Sequence, residues 1–280
     1  MQKFAALISY RGSRFCGWQR QSGSAASGDP SIQETLEQAL ESITQEKASV
    51  VGSGRTDSGV NALGQVAHFR LEKKEWDPQI LFRAMNSRLP MDIRILEVKK
   101  VPMEFHAQVS AIKKQYSYYF QQGSTSLPHL EPYSFWVYRQ LNVSAMNEAA
   151  QILKGSHDFK PFQAAGAKPL KSTVREIFEA EVSFEPLPFP GPGGGLINPE
   201  FGFVRVKLVG SGFLRQMVRG IAGTLLEIGE NKRSPQCIRE ILDTKNRDLV
   251  GATAPGRALW LEKVWYRDVE LSGYGIYLKN

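Results

Sequence analysis

The feature that most restricts this chain's architecture is a repeated change of hydrophobic period. Runs alternating every second residue, as strands do, are interleaved with runs repeating every three to four, as helices do. Tyr116, Tyr118 and Phe120 against Ser117 and Tyr119 show the first kind. Strand character marks residues 4–10, 50–52, 65–71, 93–101, 115–121, 135–138, 174–184, 202–209 and 259–264. Five helices are expected between them. The first spans 31–46, capped by Ser31 with Glu34 three residues on, and buries Ile32, Leu36, Ala39, Leu40 and Ile43. Asp77-Pro78 opens a second, with Ile80, Leu81, Ala84 and Met85 as its apolar stripe. Ser144 opens a third that runs through Ala149, Ile152 and Leu153 and stops at Gly155. A fourth, 212–228, is apolar at Phe213, Leu214, Met217, Val218, Ile221, Ala222 and Leu225, broad enough to be covered on more than one side. Ser234-Pro235 starts a short fifth.

Strand-helix-strand units thus occur in both halves. The expected fold is α+β: two related α/β halves with antiparallel sheets joined around a central basic cleft, helices on the outer face. Clean alternation would leave the other sheet face open to a ligand. The expected domains are 1–108 and 109–280, divided near 107–110. Residues 186–199, PLPFPGPGGGLINP, hold nine Pro or Gly in fourteen positions and read as a surface loop joining two strands of a long hairpin.

Composition narrows the function classes. At 280 residues, with 42% hydrophobic and 22% charged, the chain is neither disordered nor a minimal module. No apolar run nears the roughly 20 residues that cross a bilayer, and the N-terminus reads as a strand rather than a signal peptide. A cytoplasmic protein is expected. Cys16 and Cys237 make no disulfide framework, and four scattered histidines make no zinc site. A net charge of +7 points weakly toward a polyanion.

The segment richest in chemistry is 51–69, VGSGRTDSGVNALGQVAHF. Gly52, Gly54 and Gly59 frame Arg55-Thr56-Asp57 between two strands, as expected of a loop that must meet a ligand. Alone, the motif equally describes a tight turn with a surface aspartate. It is no phosphate-binding P-loop, because no Gly-Lys-Ser/Thr follows. It is no dinucleotide loop either, because no helix starts there.

The whole segment closely resembles the catalytic signature of tRNA pseudouridine synthases of the TruA family, in which the aspartate of G-R-T-D is essential. Further matches follow in order: YRGSRFCGWQRQ at 10–21, the helix start at 31–40, NSRLPMDI at 86–93, FHAQVSAIKKQYSYY at 105–119, FLRQMVRGIAGTLLEIG at 213–229 and Leu259-Trp260-Leu261. The resemblance covers nearly the whole chain. It departs at Arg11, where the family usually has Asp, at Ser58 (Ala) and at Asn61 (His); Arg11 and Asn61 bear on substrate range.

What the resemblance implies is an isomerase that needs no cofactor. It acts on the anticodon stem-loop of tRNA, positions 38–40, and works as a homodimer in which one tRNA touches both subunits. Uridine becomes pseudouridine by breaking the bond from ribose to base nitrogen, rotating the base and rejoining it through carbon. One positioned carboxylate suffices, as nucleophile on the sugar carbon or as base on its neighbour. Asp57 is that carboxylate by resemblance, with both routes open. Arg219 matches the family's basic residue and is expected to keep Asp57 ionised as an ion pair. Tyr116 matches the tyrosine that stacks on the target base, with Tyr118 its rival. Leu261 would wall the base pocket. Arg55 would fill the space left by the flipped base, since a uridine within a stem must leave the stack first. From residue 8 to 21 there are three arginines and no acid, so Arg14 and Arg20, with Lys113 and Lys114 as a second basic pair, are expected at phosphates. Two other readings compete: a non-catalytic RNA-binding chaperone of the same fold, and a metal-dependent nuclease using Asp57.

Overall fold

A computed structural model describes residues 1–20, 28–167, 169–186 and 201–271. Most of the 186–199 loop and the end of the 10–21 motif lie outside the described residues. By compactness the chain divides into two units, Met1–Lys114 with the segment from Leu261, and Gln115–Trp260. Ten strands and five α-helices are found among the described residues, an α+β fold.

In the first unit, β1 (Gln2–Tyr10) runs antiparallel between β3 (Asn61–Leu71) and β4 (Ile93–Lys100). The two-residue β2 (Val51–Gly52) pairs with β3, placing Val51 opposite His68. β10 (Leu259–Tyr266) lies on the other side of β3. Every residue from Gln2 to Ile8 is buried, so β1 is covered on both faces, as its continuous apolar run requires. The expectation of one open sheet face therefore fails for this strand: alternation is absent precisely where covering is double. Phe4 stacks on Phe69 across the β1–β3 pair, ring centres 5.6 Å apart.

Two helices complete this unit. α1 (Ile32–Thr44) begins where the Ser31 hydroxyl accepts from the Glu34 amide at 3.1 Å. Its buried positions are Ile32, Leu36, Ala39, Leu40 and Thr44, with Ile43 turned partly outward. α2 (Pro78–Arg88) is capped by the Asp77 carboxylate, which accepts from the Gln79 and Ile80 amides. Leu81 and Met85, one turn apart, are the buried pair; Ile80 is exposed, because a stripe this narrow admits one residue per turn.

The second unit carries β5 (Ala111–Gln122, which it shares with the first unit), β9 (Gly202–Gly210), β8 (Val174–Pro186) and β7 (Gly155–Asp158) side by side in that order. β8 and β9 are a long antiparallel hairpin, Val182 opposite Val206. One pairing departs from the antiparallel expectation: β6 (Phe135–Val137) runs parallel to β5. β7, sequence Gly-Ser-His-Asp, carries no apolar pattern; it is an edge strand held by its antiparallel ladder to β8.

α3 (Val143–Ile152) starts at Asn142, whose side chain accepts from the Ala145 amide at 3.0 Å, rather than at Ser144. α4 (Met217–Gly229) begins five residues later than periodicity suggests, because Gln216 takes a left-handed conformation (φ 62°). Phe213 and Leu214 therefore belong to the approach, not to the helix. α4 buries Val218, Ile221, Ala222 and Leu225 together with its small residues, the covering on more than one side expected of it. α5 (Cys237–Thr244) follows Ser234-Pro235.

Candidate active site

The Asp57 loop grows out of the β2–β3 pair. The ladder gains a last rung where the Ser53 amide donates to the Val66 carbonyl at 2.7 Å. The chain then leaves the sheet, and a turn closes from the Val60 amide to the Asp57 carbonyl at 3.2 Å. Gly59, third in that turn, has φ +78°, a conformation that side chains disfavour. Asp57 is half-buried, while Arg55 and Ser58 are exposed.

The loop rests on the residues that follow β1. The Trp18 amide donates to the Thr56 carbonyl at 3.0 Å, and the Ser58 hydroxyl donates to the Phe15 carbonyl at 3.2 Å. Gly17 has φ +111°, and a β-carbon there would stand 2.7 Å from the Thr56 oxygen. The carbonyls of Gly17 and Trp18 accept the first amides of α1, those of Ile32 and Gln33, which ties the helix start to the same platform. The Tyr10 hydroxyl lies 2.8 Å from Thr56 Oγ1, and burial pushes its pKa up to about 12, so it stays protonated. Residues 10–18 and G-R-T-D are thus one packed assembly in this unit.

Two departures from the family pattern have structural work. Asn61 is fully buried and its Oδ1 accepts from the Gly12 amide at 2.9 Å. Arg11 donates from Nε to Asp92 Oδ1 at 2.6 Å, and its backbone amide binds the Asp92 carbonyl at 2.9 Å. The basic run that holds no acid in sequence finds acids in space. Arg14 reaches Asp92 Oδ2 at 3.3 Å and Arg20 reaches Glu37 at 2.9 Å. Both arginines stay more than half exposed in their side chains (73% and 53%), so these surface pairs hold them weakly and leave them accessible to an anion.

The second basic pair splits. The Lys113 ammonium sits 4.6 Å from the centre of the Trp265 ring, with Lys263 5.1 Å from the same ring. Lys114 turns inward, its Nζ donating to the Ser53 carbonyl at 2.6 Å. Leu261 is fully buried in β10 of this unit.

In the second unit, Tyr116 is buried and meets Phe213 edge to face, ring centres 5.0 Å apart. Its rival Tyr118 is wholly buried; its hydroxyl donates to the Pro255 carbonyl at 3.0 Å, and burial raises its pKa above the ordinary tyrosine value. Tyr118 is thereby committed to the core. Arg219 lies in the first turn of α4, half-buried. Its Nε donates to the Ala254 carbonyl at 2.7 Å while the Ala254 amide donates to the Arg219 carbonyl at 3.1 Å. This reciprocal pair fixes the arginine's stem instead of letting it snorkel along the helix.

Sequence reasoning missed Gln65, whose side chain is fully buried between Ser53 and Gly54. A glutamine within the 51–69 segment, opening the strand run 65–71, was the available signal. A cavity of about 460 Å³ in the first unit is lined by Glu46, Lys47, His68, Arg70 and Lys73 among others, and by no residue between Gly52 and Val60. Among the described residues no group of three or more His, Cys, Asp or Glu could hold a metal ion, and no helix is long and apolar enough to cross a membrane.

An α+β fold with a carboxylate presented on a braced, glycine-bearing turn does not by itself name a reaction. The particular family follows from comparison. The family model described as tRNA pseudouridine synthase matches residues 6–108 and 149–267. The chain is 39% identical over 278 residues to tRNA pseudouridine synthase A of Maridesulfovibrio salexigens, covering 98% of this chain and 93% of that one. It is 37% identical over 272 residues to the Geobacillus kaustophilus protein of the same name, covering 95% of each. To tRNA pseudouridine synthase A 2 of Bacillus thuringiensis subsp. konkukian it is 36% identical over 264 residues, 94% of this chain and 99% of that one. The chain belongs to the tRNA pseudouridine synthase family.

Proposed function

We propose that the chain modifies uridines of the anticodon stem-loop, positions 38–40 of tRNA, with Asp57 as the reacting carboxylate. As a member of its family it is an isomerase that converts uridine in tRNA to pseudouridine. The bond from ribose C1′ to base N1 breaks, the base turns, and C1′ joins C5. The hydrogen on C5 leaves as a proton, and N1 gains one. Asp57 adds to C1′ or removes a proton from C2′; either role needs an ionised carboxylate held in a fixed direction.

The observation that carries the reading is the bracing of the Asp57 turn. The Trp18 amide holds the backbone at Thr56, Tyr10 and Phe15 hold the side chains of Thr56 and Ser58, and Gly17 lies against the Thr56 carbonyl, while Asp57 stays half-buried. In this proposal Tyr116 stacks on the target base and Arg219 favours the charged form of the carboxylate. Leu261 supplies apolar wall, exposed Arg55 enters the space left by the base, and Arg14 and Arg20 meet phosphates. A homodimer in the cytoplasm, with one tRNA touching both subunits, completes it. The non-catalytic chaperone reading predicts binding without turnover.

Transcripts carrying tritium on uridine C5 test the assignment, since each turnover releases the label into water. Wild type releases it and Asp57→Asn binds the transcript without release. An Asp57→Asn protein that releases tritium at the wild-type rate removes Asp57 from its role. Sequencing the product for pseudouridine locates the modified positions.

A further inference from the structure

We infer that Lys114 and Gln65 are positioning residues that clamp the Asp57 turn, an inference that rests on Asp57 being the reacting carboxylate. Where the loop leaves the β2–β3 ladder, the carbonyls of Ser53 and Gly54 lose strand partners, and partly buried carbonyls need donors. Each is met by a side chain. Lys114 Nζ donates to Ser53 O at 2.6 Å, and Gln65 Nε2 donates to Gly54 O at 2.9 Å. The other end of the Gln65 amide accepts from the Ser53 hydroxyl at 2.7 Å, so this fully buried amide is satisfied at both ends within two consecutive loop residues.

Lys114 also passes close over Gly54. A β-carbon at that glycine would lie 3.1 Å from Nζ, so the ammonium and the loop backbone are in near contact. Holding a long, flexible side chain against a neutral carbonyl costs rotamer entropy that a solvated lysine avoids. A phosphate-binding lysine would extend into solvent; this one is aimed at the root of the loop, three residues before Asp57 in the case of Gly54. Gln65 and Lys114 come from β3 and β5, rigid elements, whereas the carboxylate sits on a loop. A loop-borne reacting group needs such a supporting shell to be held within tenths of an ångström. Tyr10, reaching Thr56 Oγ1, braces the residue next to Asp57 in the same manner.

The test compares tritium release and tRNA affinity in Lys114→Met, Lys114→Arg, Gln65→Glu and Asp57→Asn. Lys114→Met keeps the stem and removes the donor. A misplacement near 1 Å costs on the order of 100-fold, so kcat should fall about 30- to 100-fold while KM and Kd for tRNA stay within about threefold. Lys114→Arg, which restores a donor, should recover most of that loss. Gln65→Glu keeps the shape and the acceptor for Ser53 but places a carboxylate against the Gly54 carbonyl, and kcat should fall likewise. Lys114 is half-buried whereas Gln65 is fully buried, so the Lys114 variants fold even if Gln65→Glu does not.

An unchanged kcat in Lys114→Met beside an inactive Asp57→Asn overturns the clamp alone. A loss confined to Kd also overturns it, making Lys114 a phosphate contact. An Asp57→Asn enzyme that turns over at the wild-type rate overturns the assignment of Asp57 and the clamp with it.

Discussion

Acidification should destabilise the first unit through His68, and by a calculable amount. The imidazole is 6% exposed, its Nδ1 accepts from the Ala107 amide at 3.1 Å, and its ring lies 4.7 Å from that of His106. Burial, helped by the charges of Lys3, His106 and Arg70, lowers its pKa from 6.5 to about 4. The folded protein therefore refuses a proton that the unfolded chain accepts as soon as pH falls below 6.5. Stability from this group is complete above that value, declines as pH falls, and stops declining below about 4. The full difference is about 3 kcal/mol, of which about 2.5 kcal/mol is lost by pH 4.5. Urea unfolding at pH 8 and pH 4.5, in wild type and in His68→Gln, isolates the effect from all other carboxylates and histidines. The variant starts less stable, having lost a buried hydrogen bond, but wild type should lose about 2.5 kcal/mol more than the variant between the two pH values. Equal losses, or an NMR titration of His68 with its midpoint near 6.5, would refute the reasoning.

Gly17→Ala forces a β-carbon into a positive-φ site and against the Thr56 carbonyl. It should cost about 2 kcal/mol or more by thermal melting and lower tritium release in the protein that remains folded, since the displaced carbonyl adjoins Asp57. Tyr118→Phe strands the Pro255 carbonyl and should cost about 1–3 kcal/mol while leaving kcat of the folded enzyme intact. Tyr116→Ala should abolish turnover, and the contrast between the two, measured on the same transcripts, decides which tyrosine serves the reaction.

Local chemistry was legible without coordinates. Ser31 and Asp77 announce helix starts because a cap acts within three residues, and the first helix and its inner face follow from period alone. The family's ordered motifs likewise pointed to Asp57. That β1 is covered on both faces emerged only from its burial in the fold. Short signals fail where a distant partner decides. β7 has no pattern of its own and exists because β8 offers an edge; α4 starts late because Gln216 turns left-handed. Arg14 and Arg20 seemed free of acids until the fold brought Asp92 and Glu37 to them, across separations of 78 and 17 residues. Nothing in a Lys-Lys pair tells that one ammonium stacks on Trp265 and the other enters the root of the Asp57 loop. Nor does a strand near the end of the sequence announce that from Leu261 it returns to the first unit. Caps and periods are set by neighbours along the backbone, whereas ion pairs, sheet edges and loop braces depend on which remote segments the folded chain lays side by side.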